Sequence, residues 1–93
     1  MVKAIWNGVT LAESGDTIIV DRTIYFPPSA LVGKYFRSST KTTTCPNKGL
    51  AHYFDIIVSE SVNINAAWSY PEPKPVAENI RGYVAFWQGV EIV

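Results

Sequence analysis

Turn signals crowd the first third of this chain so closely that only short strands fit between them. Val2–Trp6 is rich in β-formers and runs into Asn7-Gly8, a pair suited to the left-handed backbone of a tight two-residue hairpin turn. Val9–Glu13 follows, then Ser14-Gly15-Asp16 as a second turn and Thr17–Val20 as a β-branched run. Asp21-Arg22 reads as a two-residue connection into Thr23–Phe26, which Pro27-Pro28 ends, because proline cannot donate to a central ladder. The pattern is a β-meander whose pairings are local.

The rest of the chain continues in the same mode. Pro28 fits the start of one helical turn, Ser29–Val32, closed by Gly33, with Lys34–Arg37 extended after it. Ser38–Asn47 carries six hydroxyl residues and no apolar period, and reads as a long ordered loop. Leu50–Val58 is the strongest strand, with apolar residues at both parities, as expected of a central strand. Ser61–Ile64 returns from a Ser59-Glu60 turn, and Trp68-Ser69-Tyr70 reads as a connection before Pro71, Pro73 and Pro75. Pro75–Arg81 fits a short helix with Val76 and Ile80 on one face and Gly82 as its left-handed cap. Tyr83–Trp87 and Val90–Val93 are the last strands, joined by Gln88-Gly89. Ninety-three residues with this pattern predict one mostly-β domain spanning 1–93, antiparallel, with one or two short helices.

Composition removes several function classes. Eight basic and eight acidic residues cancel, so the chain lacks the cationic excess that drives nucleic-acid binding. No apolar run approaches the ~20 residues that cross a bilayer, and Met1–Trp6 does not resemble a signal peptide, so no membrane partner and a cytoplasmic location are expected. Cys45 is the single cysteine and His52 the single histidine, which excludes an internal disulfide and a four-ligand structural zinc site. No phosphate-binding glycine loop or other cofactor motif is present.

The residues able to carry chemistry cluster in the middle. Cys45 precedes Pro46, with Lys48 three residues on as a cation able to favour the thiolate. It is otherwise a buried, inert cysteine. His52 is the one base available to any histidine-dependent mechanism, or a surface histidine. Asp55, inside an apolar run, is either an acid–base group or a structural acceptor of backbone N–H bonds. Twelve aromatic residues are many for this length and most belong to the core, while Trp68 and Tyr70, on a connection, either plug the end of the sheet or line a ligand pocket.

Thr44-Cys45-Pro46-Asn47-Lys48-Gly49 with Ala51-His52-Tyr53, then Ala66-Ala67-Trp68-Ser69-Tyr70-Pro71 and Ile80-Arg81-Gly82-Tyr83-Val84-Ala85-Phe86-Trp87, resembles the domain of unknown function 427 family. Ala4-Ile5-Trp6-Asn7-Gly8 and Tyr25-Phe26-Pro27-Pro28 extend the resemblance over nearly the whole chain. It implies a small β-tent, or Mss4-like, architecture of two antiparallel sheets meeting at an angle, here without the zinc that many relatives carry. The family also bears a nucleotidyltransferase label. Such chemistry needs carboxylates holding Mg²⁺, whereas Asp16, Asp21 and Asp55 fall on separate segments.

Three functions follow as expectations. The leading one is a small-molecule-binding domain, its pocket between a Thr42–Lys48 loop and Trp68–Tyr70, with Arg37, Thr44, Lys48 and Tyr53 contributing. The second is an enzyme with Cys45 as nucleophile or redox thiol and His52 or Asp55 as its acid–base partner. The third is an interaction or homo-oligomerisation module using a bare sheet edge such as Val90–Val93.

Overall fold

A computed structural model describes all residues 1–93. Nine strands run in chain order: β1 (Val2–Trp6), β2 (Val9–Ser14), β3 (Ile18–Val20), β4 (Thr23–Tyr25), β5 (Phe36–Cys45), β6 (Gly49–Val58), β7 (Ser61–Ser69), β8 (Val84–Phe86) and β9 (Glu91–Ile92). They form three antiparallel sheets, ordered β2-β1-β9, β3-β4 and β5-β6-β7-β8. The fold is therefore mostly β, as expected, but with three sheets where two were expected. The β3-β4 ribbon leans on the large sheet through paired backbone bonds between Phe26 and Val84, each 2.8 Å. No helix is long and apolar enough to cross a membrane.

The local turns form for the reasons their residues give. Asn7 (φ 52°) and Gly8 (φ 75°) both occupy the left-handed region that a right-twisted hairpin requires, and Trp6 pairs with Val9 across them. Asp21 (φ 50°) and Arg22 (φ 67°) do the same between β3 and β4. The expected helices shrink to 3-10 turns at Pro28–Ala30, Gly33–Tyr35 and Pro75–Ile80. Gly33 thus opens a second turn and closes nothing. With three residues per turn, Ala77 and Ile80 share the buried face of the last one. Val76, expected beside Ile80, points to solvent.

The largest departure is Ser38–Asn47. Ser38–Cys45 is no loop: it belongs to β5, a ten-residue edge strand. Its hydroxyl side chains face water along most of its length, so the apolar alternation that betrays a strand is missing while the β-branched threonines still favour one. Trp68 and Ser69 are likewise strand residues of β7, and Tyr70 is buried just beyond it, so none of the three lies on an open connection.

β6 is central, and its two faces serve two cores. Phe26, Leu11, Ile56, Ala66 and Phe86 fill one, with Phe26 and Phe86 meeting edge to face at 5.6 Å. Tyr25, Ala51, Tyr70, Ala77, Ile80 and Ala85 fill the other. Tyr53, Trp68 and Cys45 pack against the rim of this second core.

Two bulges interrupt the large sheet two residues apart along β6. Between the pairs Ser38↔Phe54 and Thr42↔His52, three residues of β5 (Ser39, Thr40, Lys41) oppose the single residue Tyr53. Between Phe54↔Ala67 and Ile56↔Asn63, three residues of β7 (Ile64, Asn65, Ala66) oppose the single residue Asp55. Asn65 takes a left-handed φ of 55° there. Bulges bend a strand and re-aim its side chains, and they recur beside functional sites.

Candidate functional site

The β7 bulge is fastened by Asp55. One carboxylate oxygen accepts the Asn65 backbone N–H at 2.9 Å, and the other accepts Arg37 Nη2 at 2.9 Å and Nε at 3.3 Å. The N–H bond first, and then the guanidinium, hold the Asp55 carboxyl below the ordinary aspartate range. Asp55 is thus an ionised structural acceptor at the bulge, the second of the two roles its sequence setting allows, and Arg37, expected as a ligand anchor, is its partner. The two bulges also join each other across β6. Ser39 Oγ donates to Asn65 Oδ1 at 2.5 Å, and the Asn65 carbonyl accepts the Trp87 indole N–H at 2.5 Å.

These bonds gather three rings on one face. The centroids of Tyr53 and Trp68 lie 6.3 Å apart with planes tilted by 37°. Trp87 stands 5.9 Å from Trp68 at 82°, like a wall beside a floor, and 6.4 Å from Tyr53. Trp87 is 44% exposed, and Tyr53 and Trp68 are half-buried. Lys41, carried by the β5 bulge, hangs its ammonium 5.5 Å from the Tyr53 ring centroid. Thr43 Oγ1 and the Tyr53 hydroxyl share a hydrogen bond of 3.1 Å. Sequence reasoning selected Tyr53 and Trp68 but missed Trp87, and it noted Lys41 only within a basic stretch with Arg37 and Lys48, either a solvated loop or an anion site. Trp87 follows a core strand and Lys41 lies in a polar run, so only the strand register reveals that both reach Tyr53.

The thiol end of the same face is separate in chemistry. Cys45, partly exposed, closes β5 opposite Gly49. The backbone N–H groups of Asn47 and then Lys48, in the turn that follows, lower its thiol pKa; the Lys48 charge adds less. The Lys48 side chain is only 12% exposed and pairs with Asp21, which holds its ammonium protonated. Burial pushes the Tyr25 phenol up and the Tyr70 phenol up to about 12, so both stay neutral donors at ordinary pH. Tyr25 lies in the second core and Trp68 packs against that core, linking this end to the rings.

Strand parity divides the remaining expected residues. Cys45 pairs with Gly49, Thr44 with Leu50 and Thr42 with His52, so Thr44 and His52 lie on the face opposite Cys45. His52 is exposed, beside Leu50, Pro71 and Glu72. The structure therefore does not bring Cys45, His52 and Asp55 together. No three His, Cys, Asp or Glu side chains converge as a metal site would require.

Enclosed space is scarce. One cleft of about 230 Å³ is lined by Val20, Asp21, Asn47, Lys48, Val76 and Ala77. Another of about 190 Å³ lies at Leu50, His52, Pro71 and Glu72. Both fall below the ~300 Å³ at which small-molecule pockets begin. The ring face lines neither cleft, and a molecule held there would lie on an open, aromatic surface.

No curated protein matches the sequence. A family profile does, over residues 1–93, and with the motifs around Cys45, Trp68 and Trp87 it shows that the chain belongs to the family described as domain of unknown function DUF427.

Proposed function

We propose that this domain binds a small molecule on the sheet face formed by Tyr53, Trp68 and Trp87. The observation that carries the reading is that both bulges secure side chains around the same three rings. The β5 bulge supplies Lys41 above Tyr53, and the β7 bulge supplies the Asn65 carbonyl that pins Trp87. A bulge leaves ladder groups unpaired, and two of them within two residues of each other along β6 are a costly way to build a merely structural sheet. Exposed aromatic surface held rigid by its surroundings is what a planar or apolar ligand needs, since little ordering remains to be done on binding.

This reading moves the expected pocket. The rings take over from the Thr42–Lys48 segment, and Tyr70 supports them from the core. A panel of cyclic metabolites, flat and saturated, followed by tryptophan emission and melting temperature, tests it. Members that bind quench the emission of the wild type and fail to do so with Trp87→Ala. A panel without any response, or one that binds Trp87→Ala equally well, sinks the reading.

A second reading, thiol chemistry at Cys45, is favoured by its free, partly exposed thiol, whose pKa the turn N–H groups of Asn47 and Lys48 lower. It needs no partner from His52, because the turn itself assists the thiolate.

A further inference from the structure

The four strands of the large sheet carry few charges. Asp55 is the only acidic residue in β5, β6, β7 and β8, and its carboxylate is consumed by Arg37 and the Asn65 N–H. Lys41 forms no ion pair, in contrast to Arg37, Lys48 and Arg81. One uncompensated positive charge therefore hangs over the Tyr53 ring, 5.5 Å from its centroid.

Most of the polar groups around the rings bond to one another. Thr43 bonds Tyr53, Ser39 bonds Asn65, and the Trp87 indole N–H bonds the Asn65 carbonyl. A polyhydroxylated ring would find few free donors or acceptors, whereas a flat ring needs only the aromatic faces. A cationic ligand would have to displace Lys41 from Tyr53 and then sit beside its charge.

We propose that the ligand of this face is a flat, unsaturated ring bearing a negative charge, stacked on Tyr53 and Trp68 against Trp87 and paired with Lys41. The inference rests on the reading of these rings as a binding face and adds the ligand's shape and sign. A unit charge within about 6 Å of Lys41, at the effective dielectric of a protein surface, shifts affinity by roughly tenfold or more.

The test is calorimetric titration of the full chain at low ionic strength with three probes that share one ring system: 2-naphthoate, 2-naphthalenemethanol and 2-naphthylmethylammonium. The carboxylate is expected to bind at least about tenfold more tightly than the ammonium, with the alcohol between them. Added salt should narrow the gap, because the charges are solvent-accessible. Lys41→Met, an exposed change in a bulge, should abolish the gap and leave the alcohol's affinity in place. Equal affinities for all three probes, a preference for the ammonium, or a gap that survives Lys41→Met overturns the charge assignment while ring binding stands. Absence of binding by every probe overturns both.

Discussion

Replacing Asp55 by alanine removes the acceptor that fastens the β7 bulge. The carboxylate receives two kinds of bond of unequal worth. The Asn65 N–H bond at 2.9 Å is charge-assisted and part-buried, a class worth about 1.5–3 kcal/mol. The Arg37 pair has a guanidinium side chain that is 54% exposed, so screening leaves it about 0–1 kcal/mol. Asp55→Ala should therefore cost about 2–4 kcal/mol, which in a domain of this size lowers the melting temperature by roughly 10–30 °C. Asp55→Asn keeps an oxygen for the N–H but loses its charge, and should cost about half as much. Arg37→Met should cost no more than about 1 kcal/mol. Urea denaturation of the four proteins gives the order directly. The acid limb adds a check. Asp55 titrates below its unfolded value of about 3.9, so its contribution is complete above that pH and is lost as pH falls through the depressed folded value. Asp55→Asn should flatten this loss. If Arg37→Met costs as much as Asp55→Ala, or Asp55→Ala costs under about 0.5 kcal/mol, the carboxylate does not hold the bulge as argued.

Three further outcomes are expected. Cys45 should alkylate with a midpoint below the free value of about 8.5, and Lys48→Met should move that midpoint little, since the turn N–H groups dominate; iodoacetamide kinetics across pH read both. Spectrophotometric titration of the five tyrosines should show late components from Tyr25 and Tyr70, with stability constant below pH about 10 and falling towards about 12 as only the unfolded chain gives up those protons. Trp87→Ala should cost only about 1–2 kcal/mol, because its ring is 44% exposed and loses edge contacts and one hydrogen bond, against about 3–5 kcal/mol for the fully buried Phe26→Ala; chemical denaturation separates the two.

The two-residue turns were legible because their determinants are local. Asn7-Gly8 and Asp21-Arg22 close hairpins, Gln88-Gly89 carries the chain from β8 to β9 in another sheet, and all six residues take a left-handed backbone. The centrality of β6 was legible from apolar residues at both parities, which correspond to two cores on two faces. β5 was not legible, because a strand whose side chains point to water has no apolar period to detect. The bulges were further out of reach. A two-residue excess in a strand is defined only against its partners, and Ser39–Lys41 and Ile64–Ala66 carry no local mark of it. For that reason Asp55 was visible as an acid–base group or an acceptor of backbone N–H bonds, while Asn65 as its partner was not. Trp87 and Lys41 were hidden likewise, since the ring cluster is a product of register across three strands and the turn after β8.

The three indoles offer the most direct measurement. Trp6 packs against the first core, on the far side of the molecule's main sheet from Tyr53, whereas Trp68 and Trp87 form the ring face. Proton–nitrogen correlation spectra recorded during titration with 2-naphthoate follow each indole N–H separately. The account predicts that the Trp68 and Trp87 signals move together along one saturable curve, with Lys41 amide shifts beside them and Trp6 still. Movement of Trp6 to the same extent, or a response confined to the Asp21, Asn47 and Val76 cleft with the two indoles unmoved, would contradict it.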